Sequence, residues 1–169
     1  HAFQPLSEIS DEGSLAAAQN WILALIEQEG VTIIPEVRQA VWSALKSLAE
    51  APRRQRTLTG LTALIQSSAL RQALQPYTLD GPYGVLLDAD ADSFAASDMA
   101  CFEMEALMSD RRLAAPVLAH LFERLEARFD GRPTLLILDE AWLFLDHPLF
   151  AGRLRDWLKT LRKKNVSVV

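Results

Sequence analysis

Leu135-Leu136-Ile137-Leu138-Asp139-Glu140-Ala141-Trp142 is the stretch on which the fold turns. Four consecutive aliphatic residues predict a short buried strand, and two carboxylates stand at its carboxyl end. A Walker B element has this form. Its first acid helps hold Mg²⁺, and its second orients the water that attacks a phosphoryl group. A strand ending in two solvated acids gives the same pattern, so the neighbouring sequence has to decide. The partner motif, the phosphate loop G-x-x-x-x-G-K-[ST], is absent from the 169 residues, where no Gly is followed by Lys. The chain is therefore expected to carry half of such a site, as a central piece of a larger protein would.

Both flanks of the stretch read as helix. Upstream, Val117, Leu118, Leu121, Phe122, Leu125 and Phe129 form one apolar side over 114–129, with Pro116 suited to a first turn and Gly131 to the stop. Downstream, Asp146 can cap a helix whose apolar face is Phe150, Leu154, Trp157, Leu158 and Leu161. Val166-Ser167-Val168-Val169 then starts a second strand. This β-α-β order predicts neighbouring parallel strands. Ligands of such sheets sit beyond the carboxyl ends of the strands, where Asp139 and Glu140 fall.

The first half of the chain is different in character. Ala2-Phe3-Gln4-Pro5-Leu6 reads as a short extended segment. Leu15, Ala18, Ile22, Leu25 and Ile26 form a helical stripe over 14–29, with Asp11 and Glu12 just ahead and Gly30 as a stop. Pro35 suits the first turn of a second helix buried through Val37, Val41, Leu45 and Leu48. Arg53, Arg54 and Arg56 make a basic connection. Two short helices are expected around 60–66 and 69–75, with Thr59 and Ser68 as N-caps and Pro76 as the end. After the turn at Asp80-Gly81-Pro82, Val85-Leu86-Leu87 is a strand candidate, and 99–108 is either strand and turn or a short helix. The expected organisation is a leading strand and connection at 1–13, a helical block at 14–80 and an α/β portion at 81–169.

Bulk properties narrow the function classes. Half of the residues are hydrophobic and 23% are charged, an ordinary globular balance. The longest strictly aliphatic run is the four residues 135–138, far short of a membrane span. The net charge of −5 does not indicate nucleic-acid binding. The one cysteine, Cys101, suits a reducing compartment and reads as a core thiol. A cytoplasmic location follows as the expectation. Asp88, Asp90 and Asp92 have the spacing that opens an EF-hand loop, but Ser93 and Met99 replace its Gly and Glu, so a solvated acidic turn is expected instead. Glu103 and Glu105 read as structural ion-pair partners. His1, His120 and His147 lack ligand spacing, and the four Trp residues, Trp21, Trp42, Trp142 and Trp157, are expected in the core.

The surroundings of the acid pair carry a closer resemblance. Asp139-Glu140-Ala141-Trp142, Leu145, Pro148-Leu149-Phe150 and the run Asp156-Trp157-Leu158-Lys159-Thr160-Leu161-Arg162-Lys163-Lys164-Asn165 resemble the conjugative-transfer ATPase family of type IV secretion systems. This is the TrbE/CagE type of VirB component, and the TrbE branch is the most similar. Phe3-Gln4-Pro5-Leu6 looks like that family's strand after its phosphate loop. Arg56-Thr57-Leu58, Tyr83-Gly84 with Asp88, Phe102-Glu103-Met104 and Gly131-Arg132-Pro133 are also similar. The resemblance covers essentially the whole chain and is strongest over 131–169.

The resemblance implies a RecA-like P-loop ATPase, α/β with a parallel sheet, carrying a mostly helical insertion. Its cofactors would be ATP and Mg²⁺. Asp139 would complete the Mg²⁺ shell, and Glu140 would be the base or water-positioning acid. Such motors assemble as oligomers, often hexamers, with ATP between subunits. Among Arg153, Arg155, Arg162, Lys163 and Lys164, Arg162 is the candidate to act on a neighbouring subunit's nucleotide. A solvated basic face is the alternative, and Lys163 and Lys164 also suit a helix C-terminus. Partners would be other type IV secretion components, and the location the inner face of the bacterial inner membrane. A rival reading makes the helical block an interaction module for secretion partners. A third, an ABC-type cassette, lacks its Ser-Gly-Gly-Gln-like signature here.

Overall fold

The computed structural model describes residues 2–89, 98–103, 107, 110–139 and 148–169, with backbone alone at 111, 148–150 and 153. The chain divides into two compact units, His1–Phe102 and Glu103–Val169.

Unit 1 is helical. Helix α1 (Glu12–Gln28) starts two residues before the expected boundary because Asp11 and Ser14 form a reciprocal capping box. The Asp11 carboxylate accepts from the Ser14 N–H at 2.9 Å, and Ser14 Oγ accepts from the Asp11 N–H at 3.1 Å. Helix α2 (Pro35–Ala49) opens on Pro35, as its sequence predicts. Ile22, Leu25 and Ile26 of α1 and Val41, Leu45 and Leu48 of α2 are buried, so the two apolar stripes supply the unit's core.

Two short helices follow, α3 (Leu58–Leu64) and α4 (Ser68–Leu74). Their N-caps are Thr57 and Ser67, not Thr59 and Ser68. Thr57 Oγ1 accepts from the Gly60 N–H at 3.0 Å, while the Thr59 hydroxyl is committed elsewhere, as a donor to Asp88. Pro76 lies inside a 3₁₀ turn (Gln75–Tyr77) that continues directly from α4. The Tyr77 hydroxyl donates to Glu29 at 2.9 Å and accepts from Gln28 Nε2 at 2.8 Å, which ties this turn to the end of α1.

Val85-Leu86-Leu87 is not a strand. It forms one helical turn, α5 (Gly84–Leu87), in which the Tyr83 carbonyl accepts from the Leu86 and Leu87 N–H groups. The backbone comes so close here that a Cβ on Gly84 would lie 1.9 Å from the Thr78 carbonyl oxygen. Phe3 pairs beside this turn, donating to the Leu86 carbonyl at 2.6 Å and accepting from the Ala89 N–H at 3.1 Å. Residues 5–8 then turn, so the leading segment makes this local pairing without forming a strand. Phe3, Leu6 and Ile9 are buried.

Unit 2 is α/β. Helix α6 (Arg111–Arg128) begins three residues before the expected start because Asp110 caps it, accepting from the Arg112 N–H at 2.9 Å. Pro116 is consequently inside the helix and not in its first turn, where it removes one backbone donor. Strand β1 (Thr134–Leu136), helix α7 (Pro148–Leu161), a 3₁₀ turn (Arg162–Lys164) and strand β2 (Val166–Val168) complete the unit. The strands are parallel, with Thr134 opposite Val166 and Leu136 opposite Val168, as the β-α-β order predicts. Trp157 of α7 meets Phe122 of α6 edge to face, with ring centroids 4.3 Å apart, and donates to Glu126 at 3.3 Å.

Strand β1 is less buried than its aliphatic run suggests. Leu135 and Ile137 are 60% and 67% exposed, while Leu136 and Leu138 are half-buried. Alternation along a strand sends these pairs to opposite faces. Leu158 is likewise exposed, at the flank of a stripe whose centre is Leu154, Trp157 and Leu161. Cys101 is exposed, so it is not a core thiol. Trp21 and Trp157 are buried and Trp42 is half-buried; Trp142 lies outside the described residues.

Candidate functional site

Beyond its assigned end at Leu136, β1 continues its ladder. The Val169 N–H donates to the Leu136 carbonyl at 3.0 Å, and the Leu138 N–H donates to the Val169 carbonyl at 2.9 Å. Asp139 follows immediately, exposed at the carboxyl end of the parallel pair. That is the end at which ligands of open parallel sheets sit. Its carboxylate offers the hard oxygen donors that suit Mg²⁺, an ion that commonly takes only one or two carboxylates and completes its shell with water and phosphate. Among the described residues no group of three or more His, Cys, Asp or Glu gathers into a metal cage. Glu140, the second acid of the motif, lies outside the described residues, as do Asp90, Asp92 and Asp146.

Arg162 occupies the other end of the sheet. It opens the 3₁₀ turn that leads into β2 and is exposed, as is Lys163. Lys164 is turned back toward α6, with its Nζ 3.5 Å from Glu126 Oε1. Arg155 is exposed on α7, and the side chain of Arg153 lies outside the described residues. With Thr134 opposite Val166, five residues of rise separate the start of β1 from Asp139, or about 16 Å. Asp139 and Arg162 are therefore not brought together within one chain.

Two further residues, Asp88 and Asn165, have structural roles in the fold around these elements. Asp88, expected in a solvated acidic turn, is only 4% exposed. Its carboxylate accepts from the Leu58 N–H at 2.5 Å, the Thr59 N–H at 3.1 Å, the Thr59 hydroxyl at 2.5 Å and the Leu79 N–H at 2.9 Å. It closes the N-terminus of α3 against the 78–81 turn. No local pattern announces this, because the donors stand nine to thirty residues away. Asn165 is the second. It adopts the left-handed conformation, with φ of 59°, between the Arg162–Lys164 turn and β2. An Asn just past a basic helix end is a recognisable C-terminal signal.

Comparison with known proteins bears on the family. No family model matches the chain. The conjugal transfer protein TrbE of Rhizobium radiobacter is 44% identical over 169 aligned residues, covering 99% of this chain and 20% of that protein. The type IV secretion system protein virB4 of Bartonella henselae is 29% identical over 151 residues, 87% of this chain and 19% of the relative. A 49-residue stretch is 47% identical to the type IV secretion system protein CagE of Helicobacter pylori, 29% of this chain and 5% of CagE. The chain belongs to the TrbE/VirB4 family. As a TrbE/VirB4-type sequence it spans about a fifth of the curated relatives that it matches. No described helix of this TrbE/VirB4-type chain is long and apolar enough to cross a membrane.

Proposed function

We propose that the longer protein to which this sequence corresponds is a RecA-like ATPase that energises type IV secretion or conjugative transfer. The observation that carries the reading is Asp139. It is an exposed carboxylate at the carboxyl end of a parallel strand, in a chain 44% identical to a conjugal transfer protein. In this reading Asp139 holds Mg²⁺ through water, and Glu140 orients the attacking water. Bound MgATP supplies an activated phosphoryl group, and the phosphate-gripping lysine comes from sequence outside the 169 residues. Residues 14–80 form a helical insertion, and 1–13 with 81–169 belong to the RecA-like core. Subunits assemble as a ring, with Arg162 of one facing the nucleotide of the next. The motor works at the cytoplasmic face of the inner membrane beside other secretion components.

The test is Glu140→Gln and Asp139→Asn in the full-length protein. Glu140→Gln is expected to abolish turnover while ATP binding persists, and Asp139→Asn to weaken the Mg²⁺ dependence of binding. Wild-type turnover in Glu140→Gln would sink the reading.

A second reading, the helical block as a docking module for secretion partners, is favoured by one feature. A shallow groove of about 410 Å³ runs between α1 and α2, lined by Ala16, Gln19, Pro35, Arg38, Gln39 and Trp42. Trp42→Ala would then impair transfer and leave ATP turnover intact.

A further inference from the structure

We infer that Asn165 is a positioning residue for the basic turn Arg162–Lys164, an inference that rests on the proposed role of Arg162. Three backbone and side-chain groups of Asn165 are engaged at once. Its N–H donates to the Arg162 carbonyl at 3.3 Å, closing the turn. Its carbonyl accepts from the Thr134 N–H at 3.1 Å, the first rung of the parallel ladder. Its side-chain Nδ2 donates to the Gly131 carbonyl at 3.1 Å, across to the loop that enters β1. Both ends of that last bond sit at left-handed backbone, Gly131 at φ of 98° and Asn165 at φ of 59°.

The consequence is geometric. Arg162 is exposed and has a long side chain, so the placement of its base depends on the backbone that carries it. Its Cα is set by the turn, and Asn165 joins the turn to the sheet through Thr134 and Gly131. Asn is among the few residues that adopt the left-handed conformation with little strain, and its amide also supplies a donor that Gly lacks. A group that must reach across to a neighbour's nucleotide depends on such placement. A misplacement of 1 Å can cost about 10²-fold in rate.

The experiment uses full-length protein and four variants: Asn165→Gly, Asn165→Ala, Arg162→Ala and the double variant Asn165→Gly/Arg162→Ala. Asn165→Gly keeps the backbone conformation and both backbone bonds, and removes only the amide link to Gly131. Steady-state ATP turnover and thermal midpoints are measured for each. Asn165→Gly is expected to lower kcat by about tenfold to 10²-fold with KM for ATP and the thermal midpoint little changed. In the Arg162→Ala background the same substitution is expected to cause no further loss, which a general structural defect would not reproduce. Should Arg162→Ala reduce kcat while Asn165→Gly leaves it unchanged, or lowers it equally in both backgrounds, the positioning role is overturned and that of Arg162 stands. Unchanged kcat in Arg162→Ala overturns both. If Asn165→Ala fails to fold, Asn165→Gly still decides the matter.

Discussion

Asp139 and Arg162 stand at opposite ends of one two-stranded parallel sheet, the acid after β1 and the base before β2. A parallel β-α-β unit imposes this separation, because the connecting helix must return the chain to the starting end before the second strand begins. In the proposed ring, this separation would let one chain present Asp139 to one neighbour and Arg162 to the other.

That arrangement makes a mixing experiment decisive. Full-length Glu140→Gln and Arg162→Ala are each expected to lose about 10³-fold or more in ATP turnover when assayed alone. Mixed and reassembled, they are expected to regain part of the activity, because some interfaces then combine an intact Glu140 with an intact Arg162. Failure to regain any would mean that Arg162 does not act across an interface.

The 169-residue chain by itself is expected neither to hydrolyse ATP nor to saturate with it in calorimetry. Asp139 and Glu140 have no phosphate-gripping lysine with them in this sequence. Turnover by this chain that disappears in Glu140→Gln would overturn the expectation.

Asp88 is expected to be a stability determinant of unit 1. Its carboxylate satisfies the Leu58, Thr59 and Leu79 N–H groups in a buried setting. Asp88→Ala strands those donors and is expected to destabilise the protein by about 3 kcal/mol, from hydrogen bonds to a charged acceptor. Asp88→Asn should fall between the two. Urea unfolding followed by tryptophan fluorescence measures both.

Asp11 sets an acid-side dependence. The Ser14 backbone N–H, with the Ser14 hydroxyl second, holds its carboxyl below the usual value. A depressed folded-state pKa contributes stability above the unfolded value, near pH 3.9, and loses it as pH falls through the folded value. The cap is therefore expected to stabilise α1 in full above the ordinary carboxyl range and to lose that contribution as the pH falls through the depressed Asp11 value. Ser14→Ala should move the Asp11 titration upward in NMR, with Asp130 as an internal control.

Periodic elements were legible where the local signal and the tertiary need coincided. Pro35 opens α2, Gly30 and Gly131 adopt positive φ after α1 and α6, and the strand-helix-strand order yields parallel pairing. Legibility ended where a distant group outbid a local one. Thr59 looks like an N-cap until Asp88 takes its hydroxyl, and Val85-Leu86-Leu87 looks like a strand until Gly84 lets it coil against Thr78. Asp110 captures the start of α6 and so carries Pro116 into the helix interior. The place of Asp139 at the carboxyl end of β1 was readable from the aliphatic run before it. The link from Asn165 to Gly131 spans thirty-four residues, and no spacing rule covers it.

Phe3 and Leu86 share a hydrogen bond although eighty-three positions of chain separate them, and Ala89 answers Phe3 on the other side. Everything between leaves and returns through one doorway. The two ends of the helical block are thus held side by side by backbone alone, so a circular permutation that joins them needs only a short link, while Asp88 still ties the border to α3.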